Sequence, residues 1–277
     1  MTSVVFMGTP QFAVPILQAL IDDPAYTVKA VLTQPDRRVG RKHQLTASPV
    51  KQLAQQYDLP VLQPAKLAKS AELDQLVDLA PDLMITAAYG QFLPTKLLNA
   101  ARVAAINVHG SLLPKYRGGA PIQYAVMNGD AETGVSIMYM VKQMDAGDVL
   151  AQRRVPITAE DDAGTMFAKL SLIGRDLLMA TLPKLLAGEI EATPQDESKV
   201  VFSPNISTAQ EWIDYRLPAR LIDAKVRGLR PKPLANLVLD GVVTKLLDVT
   251  PLDEHTDLAP GQVVRVEKHA LILAAGE

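Results

Sequence analysis

The chain contains no cysteine among its 277 residues. This absence excludes a disulfide framework and thiolate metal sites, and it fits a reducing compartment. Long apolar runs are missing as well, since no stretch approaches the roughly 18 uninterrupted apolar residues that a membrane span needs. Residues 1–10 carry no basic leader ahead of an apolar core, so we interpret them as a first strand and not as a signal peptide. We therefore expect a cytoplasmic protein without a membrane partner.

Excess charge of one sign and metal-ligand spacing are also absent. The formal net charge is −2, so a nucleic-acid partner would have to meet a local basic patch and not a global field. The four histidines are dispersed along the chain, and we expect no metal site. The first predicted turn, at 8–10, has one glycine where a dinucleotide fingerprint needs three, which argues against a nicotinamide or flavin site.

The elements that are present alternate between strands and helices. Residues 3–7 predict a buried strand, residues 12–20 form a helical stripe after the turn, and residues 26–33 predict a second strand. A continuous apolar run at 82–87 is typical of a central parallel strand. This order predicts an α/β fold built on a doubly wound sheet.

The pattern changes in the last third of the chain. Residues 189–204 are polar and irregular, and they predict a linker between a domain over 1–188 and a second domain over 205–277. A helix at 219–228 is followed by short β-type runs, which are typical of a small β-rich domain. A barrel of this kind would need one more strand after residues 270–273, so we expect it to be incomplete.

Two polar side chains mark the end of the strand predicted at 103–107. Asn107 and His109 are two residues apart, so in a strand they point to the same face. The carboxyl ends of parallel strands are where open α/β sheets bind ligands. An amide beside an imidazole suits the attack of a nucleophile on a carbonyl. No serine or cysteine stands in an activated arrangement, so the substrate would supply the nucleophile. Taken alone, a histidine at the end of a strand more often has a structural role.

A carboxylate that could orient this histidine lies farther along the chain. Asp145 belongs to the sequence Met-Asp-Ala-Gly-Asp at 144–148, a tight turn between strands predicted at 134–141 and 149–157. A neighbouring carboxylate fixes the tautomer and orientation of an imidazole. Turn aspartates are commonly structural, and that alternative stays open here.

A basic segment at 34–49 holds four cations within six residues, namely Arg37, Arg38, Arg41 and Lys42. It has no apolar periodicity, so we predict an exposed, mobile loop. One alternative is a solvated connector. The other is a phosphate-binding arm, because guanidinium groups match phosphate geometry.

A second basic segment spans residues 216–232. It contains six cations and a single acidic residue, Asp223, which gives a local balance of +5. This segment is either a solvated helix face or a second contact for a polyanion. Binding through phosphates would weaken steeply with salt.

The motifs, taken together and in order, resemble those of the methionyl-tRNA formyltransferases. The likeness runs along most of the chain, which a chance motif would not do. The Asn-x-His pair and the aspartate resemble the wider superfamily of folate-dependent formyltransferases, whereas Gly8-Thr9-Pro10 and Thr33-Gln-Pro-Asp36 narrow the likeness to the tRNA enzymes and their sugar-nucleotide relatives. The matching stretches are 6–13, 33–36, 40–41, 48–51, 88–90, 106–114, 117–123, 129–134 and 144–148.

This resemblance implies a fold, an activity and a set of site residues. The fold is a Rossmann-like formyltransferase domain with a smaller C-terminal OB-like β-barrel, and the activity is formylation of initiator methionyl-tRNA by 10-formyltetrahydrofolate. By resemblance the catalytic trio is Asn107, His109 and Asp145, and the folate-binding stretch is Ser111, Leu112, Leu113 and Pro114. Arg41 lies in the loop that, in the family, enters the acceptor end of the tRNA. We expect Arg37, Arg38 and Lys42 to act with it, and we expect a monomer.

Two other functions remain open from the sequence. A formyltransferase for an amino-sugar nucleotide would keep the trio and lose the need for the basic loop. A folate- or RNA-binding module without activity would fit a C-terminal barrel that is cut short, because members of the family usually continue some tens of residues past Glu277.

Overall fold

The computed structural model describes residues 1–40 and 42–276. They form two compact units. The first unit comprises residues 1–119, 134–154 and 167–202, and the second comprises 120–133, 155–166 and the chain from 203 onward. Two segments within the predicted first domain thus belong to the second unit, and the domain boundaries at 188 and 205 stay predictions.

Seven helices and thirteen strands are described within these residues. The helices are α1 (Val14–Asp22), α2 (Pro49–Gln56), α3 (Ala71–Asp78), α4 (Thr95–Leu98), α5 (Pro121–Met127), α6 (Ala163–Leu186) and α7 (Ala219–Leu229). The strands are β1 (Thr2–Gly8), β2 (Tyr26–Leu32), β3 (Arg37–Val39), β4 (Gln44–Thr46), β5 (Val61–Leu62), β6 (Leu83–Ala87), β7 (Ala104–His109), β8 (Glu132–Tyr139), β9 (Val149–Pro156), β10 (Ala235–Leu239), β11 (Val242–Leu246), β12 (Val263–Val266) and β13 (Leu271–Leu273).

The first unit is built on one seven-stranded sheet in the order β5-β2-β1-β6-β7-β8-β9. Its strands pair in parallel from β5 to β7, and β8 then runs antiparallel to β7. All five residues of β6 are buried, as its continuous apolar run predicts. The predicted α/β, Rossmann-like fold is confirmed, and the carboxyl ends of β1, β6 and β7 meet at one edge of the sheet.

Local capping sets where two helices begin. Ser48 precedes α2 and accepts a hydrogen bond from the backbone N–H of Lys51 at 3.1 Å, with Pro49 in the first helical position. Before α6, the carboxylate of Asp162 accepts from the backbone N–H of Thr165 at 2.8 Å. In both cases a side-chain oxygen satisfies a backbone N–H group that has no partner within the helix.

The basic segment at 34–49 differs from its prediction. Strands β3 and β4 pair antiparallel and form a short hairpin, so the prediction of an irregular loop is wrong over these two strands. The two strands form backbone hydrogen bonds with each other. Such pairing does not require an apolar periodicity in the sequence. All residues of both strands are exposed, as predicted. Asp36, at the base of the hairpin, is held by Lys51 at 2.8 Å.

The second unit contains two separate two-stranded antiparallel sheets, β10–β11 and β12–β13. The β-rich character predicted for this part is confirmed, while closure into a barrel stays a prediction. Helices α5 and α7 pack together in the same unit, and Gly228 of α7 lies directly against Met127 of α5.

Replacing Gly228 with alanine should destabilise the second unit. An added Cβ would lie 2.3 Å from Met127 Cγ and 2.7 Å from the Met127 backbone nitrogen. Forcing a methyl group into such a contact costs about 1–3 kcal/mol. Urea denaturation followed by circular dichroism measures the loss. Arg220→Ala, an exposed change to alanine on the same helix, is the control, and an equal effect of the two variants would contradict the packing argument.

Candidate active site

Asn107 and His109 stand at the carboxyl end of β7, where the sequence places them. Their register is fixed by the antiparallel neighbour, because Asn107 lies opposite Met138 and His109 opposite Ser136 on β8. The two side chains share a face of the strand. His109 is only 6% exposed, so its ring works in a largely dry environment.

Asp145 reaches these two residues from the loop between β8 and β9. Its Oδ2 lies 3.8 Å from His109 Nδ1, and its Oδ1 lies 3.5 Å from Asn107 Nδ2. The second distance is at the long end of a hydrogen bond. Its side chain is 17% exposed. The structure thus brings together all three residues of the predicted trio.

The histidine ring is oriented by the backbone. His109 Nε2 lies 2.9 Å from the carbonyl oxygen of Tyr116. A carbonyl can only accept, so in this hydrogen bond Nε2 carries the proton. The edge of the ring that faces Asp145 is therefore the Nδ1 edge. That nitrogen is an acceptor in the neutral ring and becomes a second donor in the imidazolium ion.

The turn that carries Asp145 is tightly constrained. The backbone N–H of Gly118 donates to Asp145 Oδ2 at 2.9 Å, and Asp145 itself has a positive φ of 47°. At Gly147 an added Cβ would lie 1.9 Å from the carbonyl oxygen of Tyr139, so only glycine fits there. Asp145 is therefore more than a surface turn residue, because its carboxylate bonds a different loop and faces an imidazole.

The predicted folate-binding stretch, Ser111 to Pro114, follows His109 directly. Ser111 is fully buried, and its hydroxyl donates to the carbonyl of Lys115 at 2.6 Å. Leu113 is held on both sides, because its N–H donates to Ser136 Oγ at 3.1 Å and its carbonyl accepts from Gln152 at 2.8 Å. These bonds shape the loop, and a role for the stretch in folate binding stays a prediction.

Two side chains near the site had no role in the sequence prediction. Arg117 is 1% exposed, and its Nε donates to Gln195 Oε1 at 2.9 Å. Gln195 in turn donates to the backbone carbonyls of Asp145 at 2.8 Å and Gly147 at 2.7 Å. Gln195 lies in the segment predicted as a linker. One amide side chain among many polar residues does not indicate a contact with the site. Tyr116 and Gly118 contribute backbone atoms, which any residue type carries.

An ion pair supports the same corner of the first unit. Arg117 Nη2 donates to Glu197 Oε1 at 2.8 Å. This hydrogen bond holds the pKa of Glu197 below its usual value of 4.5. Hydrogen bonds from Ser198 and Lys199 likewise lower the pKa of Asp196 to about 2. Both carboxylates are therefore ionised through the neutral pH range.

The cations of the basic hairpin are exposed. Arg37 and Arg38 lie on β3, and Lys42 lies in the turn after it. Arg38 donates to the carbonyl of His43 at 3.2 Å. Arg41 falls outside the described residues, so its predicted contact with tRNA stays a prediction.

The second basic segment is largely neutralised. Arg216 pairs with Asp214, Arg227 with Asp223, and Arg230 with both Asp162 and Asp248, each at 2.8 Å. Lys225 donates to the carbonyl of Trp212, and burial lowers its pKa. The local balance of +5 overstates the free charge, because three of these four acids lie outside residues 216–232 and were not in the count.

Neither a membrane span nor a metal cluster is found in the part of the chain that the structure describes. No helix within residues 1–40 and 42–276 has the length and apolarity that crossing a membrane requires. Over the same residues no group of three or more His, Asp or Glu side chains is arranged to hold a metal ion. The expectation of no metal stays a prediction.

Comparison with known proteins identifies the family to which this chain belongs. Residues 1–182 match the family model described as formyl transferase, and residues 205–277 match the model for the formyl transferase C-terminal domain. In fold, the chain is similar to an N-formyltransferase from Helicobacter canadensis, solved with folinic acid and dTDP-3-aminofucose. The TM-score is 0.76 at 16% identity, covering 99% of this chain and 96% of that one. The fold is thus that of a formyl transferase, and the chain belongs to this family.

Sequence relatives narrow the class further. A methionyl-tRNA formyltransferase from Limosilactobacillus fermentum is 71% identical over 276 residues, covering 100% of this chain and 87% of the relative. One from Levilactobacillus brevis is 66% identical over 277 residues, covering 100% of this chain and 88% of the relative. The chain belongs to the methionyl-tRNA formyltransferase family, as its motifs predict.

The Arg117–Glu197 ion pair should stabilise the protein in a pH-dependent way. The folded state lowers the pKa of Glu197, so its stabilisation is present above the unfolded value of about 4.5 and is lost as the pH falls through the lower, folded value. We expect Glu197→Gln to lower the melting temperature at pH 7, with the difference from the wild type shrinking towards pH 3.

Differential scanning calorimetry of both proteins from pH 7 to pH 3 measures this effect. Glu191→Gln, an exposed glutamate on the same segment, is the control and should show no such convergence. A difference for Glu197→Gln that stays constant down to pH 3 would rule out the ion pair as its source.

Proposed function

We propose that this chain transfers the formyl group of 10-formyltetrahydrofolate to the α-amino group of initiator methionyl-tRNA, for translation initiation in the cytoplasm. The observation that carries the proposal is the convergence of Asn107, His109 and Asp145 at the carboxyl end of β7. The names of relatives at 71% and 66% identity support the tRNA substrate. A folate donor is supported by the N-formyltransferase of similar fold that was solved with folinic acid.

The reaction needs one bond to form and one to break. The α-amine of an aminoacyl ester attacks the formyl carbon, and the bond from that carbon to the folate nitrogen then breaks. Free α-amines titrate at about 7.7–8.0, so the neutral nucleophile is available near neutral pH. The protein therefore has to stabilise the tetrahedral oxyanion and move a proton from the amine to the leaving nitrogen.

Asn107 and His109 are the proposed oxyanion donors. Asn107 offers its Nδ2–H₂ group, and the imidazolium form of His109 offers Nδ1–H, since Nε2–H is engaged by the Tyr116 carbonyl. Removing one such donor typically costs roughly 3 kcal/mol of transition-state stabilisation. The 6% exposure of His109 strengthens this electrostatic effect, because little water competes for the charge.

Asp145 is the proposed orienting group. Its carboxylate faces His109 Nδ1 at 3.8 Å and offsets the positive charge of the imidazolium. We propose that it also helps a water to relay the amine proton towards the leaving folate nitrogen. Positioned proton transfer of this kind is worth about 10²–10⁴-fold in rate.

We assign binding of the two substrates to the segments that the resemblance implies. The folate would lie against the loop Ser111–Pro114, which continues directly from His109. Phosphates of the tRNA would meet the exposed cations of the β3–β4 hairpin, namely Arg37, Arg38 and Lys42, together with Arg41. We propose that the protein acts as a monomer.

A transfer assay tests the substrate assignment. Purified protein, 10-formyltetrahydrofolate and charged initiator tRNA should yield formyl-methionyl-tRNA, because the trio activates a carbonyl for attack by a free amine. Amino-sugar nucleotides serve as parallel acceptors and should not be formylated. Transfer to an amino sugar with none to tRNA would favour the rival formyltransferase, and transfer to neither would leave only a binding function.

Replacing His109 with alanine should abolish catalysis with little effect on folding. We expect kcat to fall by about 10²-fold or more, because the variant loses an oxyanion donor and the group that Asp145 orients. Steady-state formyl transfer and the melting temperature are measured together. His269→Ala, at an exposed histidine, is the control. A collapse of the melting temperature in His109→Ala would instead show that the histidine is structural.

A further inference from the structure

The side chain of Gln195 crosses from an irregular segment to the turn that carries Asp145. Its Nε2 donates to the carbonyl of Asp145 at 2.8 Å and to the carbonyl of Gly147 at 2.7 Å. A primary amide has two N–H donors, so both are used on this turn. Gln195 thus satisfies two carbonyls of this turn from 50 and 48 residues away along the chain.

The oxygen of the same amide contacts the loop that contains Arg117. Gln195 Oε1 accepts from Arg117 Nε at 2.9 Å. The backbone on either side of Arg117 holds the two ionisable members of the trio: the Tyr116 carbonyl fixes His109 Nε2 at 2.9 Å, and the Gly118 N–H binds Asp145 Oδ2 at 2.9 Å. One amide thus joins the turn of Asp145 to the loop that orients both side chains.

The Arg117 end of this link is itself rigid. The guanidinium is 1% exposed and also bonds Glu197, which lies two residues after Gln195. The backbone N–H of Arg117 donates to the carbonyl of Val201 at 2.9 Å. The amide oxygen of Gln195 is thus bonded to a fixed guanidinium, and its amide nitrogen is bonded to the turn of Asp145. The Gln195 amide therefore sets the distance between this turn and the loop that contains Arg117.

We propose that Gln195 is a positioning residue that holds the Asp145 carboxylate in register with His109. This inference rests on the catalytic role proposed for Asp145. The carboxylate lies 3.8 Å from His109 Nδ1, and a shift of about 1 Å in such a pair can cost about 10²-fold in rate. The loop at Arg117 keeps its bonds to Val201 and Glu197 when the amide is removed, so the loss of Gln195 acts on the reaction through the turn of Asp145. Its effect should therefore be lost when Asp145 is replaced by a neutral residue that cannot form an ion pair.

A double-mutant cycle tests this dependence. Gln195→Leu removes the amide at nearly constant volume, and we expect kcat to fall about 10–100-fold with both KM values within about twofold. In an Asp145→Asn background the same change should alter the single-turnover rate by less than about twofold, because the group it positions is already disabled. The rates are measured with enzyme in excess over charged tRNA.

A second variant and a control separate positioning from folding. Gln195→Glu keeps the acceptor for Arg117 and places an acceptor oxygen against two carbonyls, so it should lose at least as much kcat as Gln195→Leu. Gln210 makes a similar link within the second unit, donating to Tyr124 Oη at 2.6 Å and accepting from the Ser207 N–H at 3.0 Å. Gln210→Leu should therefore leave kcat unchanged.

The possible outcomes are distinct. An equal loss of rate from Gln195→Leu in both backgrounds would overturn the positioning role, as would unchanged kcat in Gln195→Leu or retained kcat in Gln195→Glu. An equal loss of kcat in Gln210→Leu and Gln195→Leu would also overturn the positioning role. The loss of any hydrogen-bonded link between segments would then be enough to lower kcat. Full activity of Asp145→Asn would instead defeat the proposed function of Asp145. An inactive Asp145→Asn with a fully active Gln195→Leu would defeat the present inference alone.

Discussion

The carboxylate of Asp145 is the point on which the site depends. It is the one group that contacts both other members of the trio, at 3.5 Å from Asn107 and 3.8 Å from His109, and it is also bonded by the backbone of a second loop. Its side chain is only 17% exposed, so its charge needs nearby partners in place of some of the water. The positive φ of Asp145 and the glycine at 147 follow from this requirement, since the turn must bend sharply to direct the side chain inward.

The sheet fixes the positions of Asn107 and His109. Strand β7 lies between a parallel and an antiparallel neighbour, and its pairings fix the height at which Asn107 and His109 leave the sheet. Buried strands such as β6 make this edge rigid. The loop from Ser111 to Gly118 then turns back over His109, and its own hydrogen bonds keep the Tyr116 carbonyl against Nε2. The geometry of the candidate site is thus set by backbone groups that surround three side chains.

The parts of the fold and site that depend on side-chain type can be predicted from the sequence, whereas the parts that depend on backbone atoms or distant contacts cannot. Apolar periodicity predicted the sheet and the helices, and the two-residue spacing predicted that Asn107 and His109 share a face. The hairpin β3–β4 was missed because its strands are exposed and pair only with each other. The roles of Tyr116 and Gly118 were missed because they are played by the backbone. Gln195 was missed because its partners lie 48 and 50 residues away in an otherwise polar segment.

The trio does not by itself choose an acceptor, so selectivity for tRNA has to come from charges outside it. Residues 216–232 carry a local balance of +5, but Arg216, Arg227 and Arg230 are already paired with aspartates. A carboxylate beside a guanidinium cancels its net charge and repels a phosphate, which reduces the attraction for a polyanion. The exposed cations of the β3–β4 hairpin face no such cost: Arg38 bonds a neutral carbonyl, and Arg37 and Lys42 are exposed. Charge pairing therefore favours the hairpin over the α7 region as the main contact for a polyanionic substrate.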